Sequence, residues 1–286
     1  MSVAVVLMAY GSPDRLEDVP AYYADIRGGR PIAPERLEEL VERYRRLGIE
    51  DRNPLNEITE ETRAALEREL GVPVHAGMRH WRPRIAEAAE RALGGGARTV
   101  VGLVLAPHYS AMSIGAYRRQ LEEAVAGQAD VAFVERWGSE PAYVGLVADR
   151  LHGADAHVVF TAHSLPARIL DEGDPYVDEL LESSRLVAEA AGVEDWSFAF
   201  QSASPTGEPW LGPDILEHLE DLAPRDVLVC PIGFVSDHLE IRWDIDVEAR
   251  DKARALGMRL DRVEMPNDAI VPVLRRLVER HVPALR

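Results

Sequence analysis

The chain has 286 residues, 47% of them hydrophobic and 28% charged, a composition typical of a globular protein long enough for two domains. Its 49 acidic residues outnumber its 32 lysines and arginines, and the net charge of −17 disfavours nucleic acid as a partner. The single cysteine, Cys230, excludes an intrachain disulfide and an all-cysteine iron–sulfur cluster within one chain. Any bound metal ion must therefore use nitrogen and oxygen ligands.

The chain lacks the signals of a membrane or exported protein. No run reaches the roughly 18 to 20 apolar residues that a membrane span needs. The first residues, MSVAVVLMAYG, lack the basic flank and the small-residue cleavage site of a signal peptide. We therefore expect a cytoplasmic protein without stable membrane insertion.

Short apolar runs alternate with helix-length amphipathic stretches, a pattern that predicts βαβ units. In chain order the runs are VAVVLMAY, TVVGLVLA, VAFVE, HVVFTA, FAF and VLVCPIGF. Because runs such as TVVGLVLA do not alternate between apolar and polar residues, the strands are predicted to lie in parallel sheets covered on both faces. The clearest predicted helices end at glycines: PERLEELVERYRRLG, ITEETRAALERELG and RIAEAAERALGGG.

The connection GSEP, residues 138–141, divides the series near its middle. The predicted fold class is α/β, with two lobes of similar build, each a mainly parallel sheet flanked by helices. We place an N-terminal lobe at residues 1–138 and a C-terminal lobe at residues 139–266. The last helix, about residues 267–286, is expected to pack back on the first lobe.

Polar side chains follow four of the predicted strands. Tyr10 follows the first, and His163 follows HVVFTA. The others are His108 and Tyr109 after TVVGLVLA, and Asp237, His238 and Glu240 after VLVCPIGF. Ligands of parallel α/β sheets bind beyond the carboxyl ends of the strands, so these side chains are expected to face one site. Each histidine alone is more often structural, but the set suits a divalent cation such as Fe²⁺ and also general acid–base chemistry.

Several other enzyme classes lack their motifs in this chain. There is no GxSxG nucleophile elbow and no HExxH zinc motif, which removes the common hydrolase interpretations. No GxGxxG follows the first strand, so a nicotinamide cofactor is not supported.

The stretch FVSDHLEIRWDIDVEARD is unusually acidic. Glu240, Asp244 and Glu248 recur every four residues along one helical face, which a widened π-type turn would align better. Like charges at this spacing repel unless a cation or a basic group lies between them. The pattern alone leaves open a solvated helix face and a cation site. Asp237 is expected to cap the helix. The remaining acids, expected to be solvated, are Asp246 and Asp251.

Seven motifs occur in order along almost the whole chain: MAYGSP, YYADIR, RHW, APHYS, TAHSLP, PWLGPD and GFVSDHLE. Together they resemble the ferrochelatases, and MAYG resembles the coproporphyrin ferrochelatases of Gram-positive and related bacteria. The resemblance implies insertion of Fe²⁺ into coproporphyrin III in heme biosynthesis, between two Rossmann-like, chelatase-type lobes. It implies no bound nucleotide and no required cofactor beyond the substrate iron.

The resemblance also implies roles for individual residues. His163 and Glu240 match the family's facing catalytic pair at the metal-insertion site, and Tyr10 matches a tyrosine axial to the product iron. Asp244 and Glu248 match an acidic trail proposed to relay or bind a second ion, such as Mg²⁺. The positions that match porphyrin contacts are Tyr10, Arg27, Arg43, Tyr44, Asn53, His80 and Tyr117.

Two departures from the family pattern and three alternatives accompany this resemblance. Asn53 stands where serine is expected, and the lone Cys230 excludes the [2Fe–2S] cluster of some actinobacterial relatives. The matching relatives imply a monomer that passes its product to a coproheme-processing enzyme. The alternatives are a protoporphyrin IX ferrochelatase, a chelatase for another tetrapyrrole or metal, and a non-catalytic heme-binding protein that uses Tyr10 as axial ligand.

Overall fold

The computed structural model of the protein describes residues 2–282 and 285. Two four-stranded sheets form its centre. The first contains β1 (Val3–Ala9), β2 (Val74–Met78), β3 (Thr99–Val104) and β4 (Asp130–Val134). The second contains β5 (His157–His163), β6 (Trp196–Gln201), β7 (Val227–Cys230) and β8 (Leu260–Arg262). The strand orders are β2-β1-β3-β4 and β6-β5-β7-β8, and every pairing is parallel.

Helices flank both sheets. Those before β5 are α1 (Val19–Ile26), α2 (Pro34–Arg46), α3 (Pro54–Leu70), α4 (Ile85–Gly94), α5 (Ile114–Val125) and α6 (Pro141–Ala148). Those after β5 are α7 (Tyr176–Ala191), α8 (Ile215–Leu222), α9 (Arg250–Ala255) and α10 (Val271–His281). A π-helix, Ile241–Ala249, directly precedes α9.

The sheets are covered on both faces, as the unbroken apolar runs predict. Every residue of β1 is buried, and Leu7 pairs with Leu103 in the centre of the first sheet. The corresponding central strand of the second sheet, β5, is buried except at its last residue, His163. Its position at the carboxyl end of the strand leaves this imidazole open to the space between the lobes.

Helix α3 shows how local chemistry sets the bounds of an element. Asn53 caps it, because its Oδ1 accepts a hydrogen bond from the backbone nitrogen of Leu55 at 3.1 Å. Pro54 occupies the first turn, and Gly71 closes the helix with a φ of 67° that favours glycine. The helix therefore begins four residues before the predicted start at Ile58. The Asn-Pro cap is a stronger start signal than the first residues of ITEETRAALERELG.

Two strands are absent from the predicted runs, β2 and β8. Both lie at sheet edges, and both carry polar residues in short segments. Charged side chains satisfy part of the open edge of β2: Arg91 donates to the carbonyl of Ala76 at 3.1 Å, and Glu67 accepts from the nitrogen of Val74 at 2.9 Å. Such edges need not look like strands in the sequence.

The two lobes share apolar packing. One buried cluster includes Leu103 of the first sheet and Phe160 of the second, and Tyr143 of α6 donates to the carbonyl of Ile232 at 2.9 Å. Helix α10 packs on α3, β3 and β4 through side chains that include Leu274. Residues 283, 284 and 286 of the predicted last helix lie outside the described residues. Within the described chain, no helix is long and apolar enough to cross a membrane.

Candidate active site

A cleft of about 460 Å³ lies between the carboxyl ends of the second sheet and helices α1 and α2 of the first lobe. Its volume is within the usual range for small-molecule sites. The wall from the second lobe carries polar groups that follow β5, β6 and β7. The predicted site residues that line the cleft are Arg27, Arg43, His163, Glu240, Asp244 and Glu248.

His163 is held at one nitrogen and faces a carboxylate at the other. Its Nδ1–H donates to the carbonyl oxygen of Ser164. Its Nε2 lies 3.7 Å from Oε1 of Glu240. Burial, the largest single effect, would lower the pKa of His163, but the charge and hydrogen bonding of Glu240, with smaller contributions from Ser164 and Asp244, together outweigh it and raise the pKa to about 9. At neutral pH the metal-free pair is therefore an imidazolium beside a carboxylate.

Glu240 lies between two imidazoles. Its Oε2 is 3.3 Å from Nε2 of His238, whose Nδ1 donates to the carbonyl of Ser236 at 3.0 Å. Burial favours the protonated acid, but the neighbouring charges of His163 and His238 hold the pKa of Glu240 well below its usual range. Water still reaches 39% of the Glu240 side chain, so an ion entering the cleft can reach this carboxylate. The sequence predictions placed His238 among the polar residues at the strand ends but gave it no role of its own.

The π-helix that follows Glu240 has the widened turn that aligns the acidic residues better than an α-helix would. It buries Asp244, which is 8% exposed and accepts a hydrogen bond from Oγ of Ser202. Burial raises the pKa of Asp244 to about 7; the hydrogen bond from Ser202 opposes this, and the charges of Glu240 and Glu248 add to it. A carboxyl group with this pKa can both take up and release protons at neutral pH.

Glu248, at the far end of the same helix, is paired with groups from both lobes. Its Oε1 accepts from Nε1 of Trp243 at 2.6 Å and lies 3.5 Å from Nη2 of Arg43. The guanidinium carbons of Arg43 and Arg46 lie 5.0 and 5.1 Å from the centre of the Trp243 ring. Helix α2 of the first lobe is thus docked on the π-helix, and a basic group relieves the repulsion along the acidic face.

The acidic face is not a ready-made cage for a second ion. Asp244 and Glu248 each accept a hydrogen bond from the protein, and no three His, Cys, Asp or Glu side chains within residues 2–282 and 285 are placed to hold one metal ion. Hard cations such as Mg²⁺ are bound through carboxylates and retained water, so these residues fit a second ion only if Arg43 moves away from Glu248.

The predictions for two other acids of this stretch are wrong. Asp237 does not cap the helix; its side chain accepts from Arg262 at 3.1 Å and from Asn267 at 3.4 Å. Asp246 is not simply solvated, because Nε and Nη2 of Arg262 donate to its two oxygens at 2.9 Å. Arg262 belongs to β8, a strand that the sequence patterns missed, so neither pairing was predictable. Asp251 is exposed, as predicted.

The aromatic rings of Tyr10 and His80 lie next to each other in the first lobe. The ring centres are 4.7 Å apart, and the backbone N–H of His80 donates to the carbonyl of Tyr10 at 3.0 Å. Tyr10 is 40% exposed. Burial, followed by the negative charge of Glu240, raises the pKa of Tyr10, so its hydroxyl is neutral at physiological pH. The influence of Glu240 indicates that this phenol and the carboxylate share one electrostatic environment.

Three more predicted porphyrin contacts lie behind the cleft surface. Asn53 is 1% exposed, and its Nδ2 donates to Oγ of Ser12 at 2.7 Å and to a backbone carbonyl. Ser12 in turn lies 3.3 Å from the hydroxyl of Tyr44, which is also buried. Tyr117 is buried beneath the guanidinium of Arg79, 5.4 Å from the ring centre. In this structure these side chains support the wall, and their contact with a porphyrin stays a prediction.

Two arginines from the first lobe lie at the rim of the cleft. Arg27 is exposed and donates to the carbonyls of Arg30 and Pro31 at 3.4 and 3.2 Å. Arg36, which the sequence predictions did not assign, is paired with Glu39 at 2.7 Å. Solvent-exposed pairs of this kind are weak, so these arginines can turn to an anionic ligand at little cost.

Comparison with known proteins agrees with this geometry. The family model described as Ferrochelatase matches residues 2–282. A protein named ferrochelatase from Herpetosiphon aurantiacus is 41% identical over 299 residues, covering 96% of this chain and 97% of that protein. A coproporphyrin III ferrochelatase from Halalkalibacterium halodurans is 36% identical over 286 residues, covering 93% and 92%.

Among solved structures, SirB from Bacillus subtilis with Fe³⁺ has a TM-score of 0.61 and 13% sequence identity, covering 100% of this chain and 96% of that chain. This likeness concerns the fold, and it confirms the predicted two-lobe, chelatase-type architecture. With a family model that matches nearly every residue and relatives above 30% identity over almost their full length, the chain belongs to the ferrochelatase family, the metal chelatases that insert Fe²⁺ into porphyrins.

Proposed function

We propose that the protein inserts Fe²⁺ into coproporphyrin III, with His163 and Glu240 as the catalytic pair. The observation that carries this proposal is the pair itself, 3.7 Å apart in a cleft whose opposite rim carries arginines. The names of relatives at 35% and 36% identity support coproporphyrin III as the porphyrin.

Metal insertion requires the loss of two pyrrole protons and the removal of water from Fe²⁺. In the metal-free protein, the proton on His163 balances the charge of Glu240. When Fe²⁺ approaches Glu240, its charge replaces that of the proton and disfavours the imidazolium. His163 then releases its proton, and its bare Nε2 can bind the iron or accept a pyrrole proton.

Asp244 is proposed to carry protons away from the pair. It lies beyond Glu240 on the π-helix, and its pKa of about 7 allows both protonation states at neutral pH. Glu248 continues the acidic face towards the outside. We assign these two residues to a proton path, with a second divalent ion as the alternative that a metal titration would reveal.

The first lobe is proposed to control the other face of the porphyrin. Tyr10 is exposed on the side of His80, and its neutral hydroxyl can approach the metal once it is in the ring. This assignment makes Tyr10 the axial group of the product and leaves proton removal to His163 and Glu240.

The arginines at the rim of the cleft support a preference for coproporphyrin III over protoporphyrin IX. Coproporphyrin carries four propionates and protoporphyrin carries two, so the first needs more donors. Three arginines line the cleft, Arg27, Arg36 and Arg43, in a protein that is otherwise strongly acidic. Arginine matches carboxylates with two parallel hydrogen bonds. Polar side chains after β6, including Ser204 and Thr206, extend the set of donors.

The test is an anaerobic assay with Fe²⁺ and each metal-free porphyrin. We expect kcat/KM to be clearly higher for coproporphyrin III than for protoporphyrin IX. An equal or higher value for protoporphyrin IX would overturn the proposed substrate and favour the plain ferrochelatase activity named for other relatives. Binding of both porphyrins without any metal insertion would instead indicate a non-catalytic heme-binding protein.

A further inference from the structure

His80 is held by a carboxylate that has no assigned role. Its Nδ1 lies 2.9 Å from Oδ2 of Asp25, near the end of α1. Asp25 is fixed in turn by a guanidinium fork: Nη2 of Arg84 donates to Oδ1 at 2.7 Å, and Nη1 donates to Oδ2 at 3.1 Å. Nη1 of Arg84 also donates to the carbonyl of Arg79 at 3.1 Å. The carboxylate therefore has one orientation, set by groups from two different segments of the first lobe.

This arrangement decides which ring nitrogen of His80 carries hydrogen. The hydrogen bonds from Arg84 lower the pKa of Asp25, so its oxygens only accept. A neutral imidazole has one donor and one acceptor nitrogen. Because Nδ1 must donate to Asp25, Nε2 is left as the acceptor. The described residues supply no hydrogen-bond donor to Nε2.

The free nitrogen lies in the first lobe, on a ring that is next to Tyr10. His80 retains 14% exposure of its side chain, and its ring lies against that of Tyr10. In the second lobe, Nδ1 of His163 likewise donates, to the carbonyl of Ser164. Both imidazoles are thus anchored at Nδ1 and present Nε2, but only Nε2 of His163 faces a carboxylate, that of Glu240.

We propose that Asp25 is a positioning residue for iron insertion, which acts through His80 by fixing its Nδ1–H tautomer. Nε2 of His80 is then the hydrogen-bond acceptor for a pyrrole N–H on the face of the macrocycle opposite His163. This inference rests on the proposed insertion reaction and adds Asp25 and Arg84 to the groups that prepare the site.

The first measurement is the tautomer itself, read from nitrogen-15 NMR of the imidazole rings in the intact, porphyrin-free protein. We expect His80 to show hydrogen on Nδ1 and none on Nε2, and the preference to be lost in Asp25→Ala. His80→Ala assigns the signal. A wild-type ring with hydrogen on Nε2 would overturn the proposal, and this result does not depend on the porphyrin that the enzyme prefers.

The second measurement is a double-mutant cycle in the insertion assay. We expect Asp25→Ala to lower kcat by about tenfold, the scale known for carboxylates that orient a functional histidine, with little change in KM. In the His80→Ala background the same substitution should have no further effect, because Asp25 acts through that ring. An equal loss in both backgrounds would make Asp25 merely structural.

Asp251→Ala is the matched control for the loss of an aspartate–arginine pair. Asp251 is exposed, pairs with Arg254 at 3.0 Å and does not line the cleft, so its removal should leave kcat unchanged. If wild-type protein inserts iron into neither porphyrin, the proposed function fails, whereas the tautomer result still shows whether Asp25 fixes the hydrogen of His80 on Nδ1. If Asp25→Ala does not fold, the wild-type tautomer remains the deciding observation.

Discussion

Each lobe pairs one histidine with one carboxylate, with opposite results. On the second lobe, Glu240 lies beside Nε2 of His163, and its charge raises the histidine pKa to about 9 despite burial. On the first lobe, Asp25 lies beside Nδ1 of His80, and burial together with nearby arginines holds the pKa of that ring below its usual value. An imidazole beside a carboxylate is thus an imidazolium at His163 and a neutral hydrogen-bond acceptor at His80.

The difference shows that the surroundings of a pair decide its chemistry. The carboxylate of Asp25 is already neutralised by Arg84, so it orients His80 without charging it. Among the described residues, the side chain of Glu240 is paired only with imidazoles, those of His238 at 3.3 Å and His163 at 3.7 Å. Its charge is therefore available to Fe²⁺, and we expect metal capture on this side of the ring.

The largest effect should follow Glu240→Gln, which removes the negative charge beside His163 that is expected to attract Fe²⁺. We expect kcat to fall by at least about 100-fold, while porphyrin binding, measured by absorbance titration, persists. The pKa of His163 should fall from about 9, because the charge of Glu240 then no longer opposes burial. NMR titration of that ring checks the shift, and a modest loss of activity would reduce Glu240 to a supporting role.

Asp244→Asn should have the next largest effect, about tenfold on kcat at neutral pH, because the amide cannot relay protons. The rate of the wild type should depend on a group that titrates near pH 7, and the rate of the variant should lose this dependence. A variant with the wild-type pH profile would remove Asp244 from the proton path.

The raised pKa of Asp244 also predicts how the free energy of unfolding depends on pH. Burial raises the pKa of Asp244 from 3.8 to about 7, so the folded protein holds this proton more tightly than the unfolded chain does. The stabilisation is full below pH 3.8 and is lost as the pH rises through 7. Urea unfolding at pH 5 and pH 8 should show a smaller pH dependence for Asp244→Asn than for wild type. Asp251→Asn, an exposed acid, serves as control.

A smaller effect is expected from Arg27→Ala at the rim. The KM for coproporphyrin III should rise by about fivefold or less, since exposed ion pairs are weak. The KM for protoporphyrin IX should change less, because that porphyrin has fewer propionates to bind. Arg254→Ala removes an exposed arginine elsewhere and should change neither value. An equal rise for both porphyrins would show that Arg27 does not discriminate between them.

The smallest effect is expected from Glu248→Gln, which keeps an acceptor for Trp243 but loses the ion pair with Arg43. We expect kcat to change by about twofold at most. The informative readout is the response to added Mg²⁺. A response that is present in wild type and absent in the variant would show that a second ion binds at the acidic face.

Sequence patterns predicted the part of this molecule that depends on periodicity and on strand ends. The parallel sheets and the gathering of His163 and Glu240 in one cleft follow from local patterns. The pairings of Arg262 were not predictable, because they depend on β8, a three-residue edge strand with little apolar character.

The interaction partners of the predicted residues were likewise not predictable from the sequence. Asp25 stands inside the YYADIR motif, but its contact with His80 spans 55 positions and requires the fold to bring α1 to the end of β2. Arg43 was expected to bind porphyrin, and only the docking of α2 shows its pairing with Glu248. Long-range ion pairs leave no periodic trace in a single sequence.

The most direct test of the central claim is anaerobic iron insertion into coproporphyrin III by wild-type protein and by His163→Ala. We expect the wild type to form coproheme and the variant to lose at least about 100-fold in kcat while still binding the porphyrin. Near-normal insertion by His163→Ala would contradict the assignment of the His163–Glu240 pair as the catalytic centre.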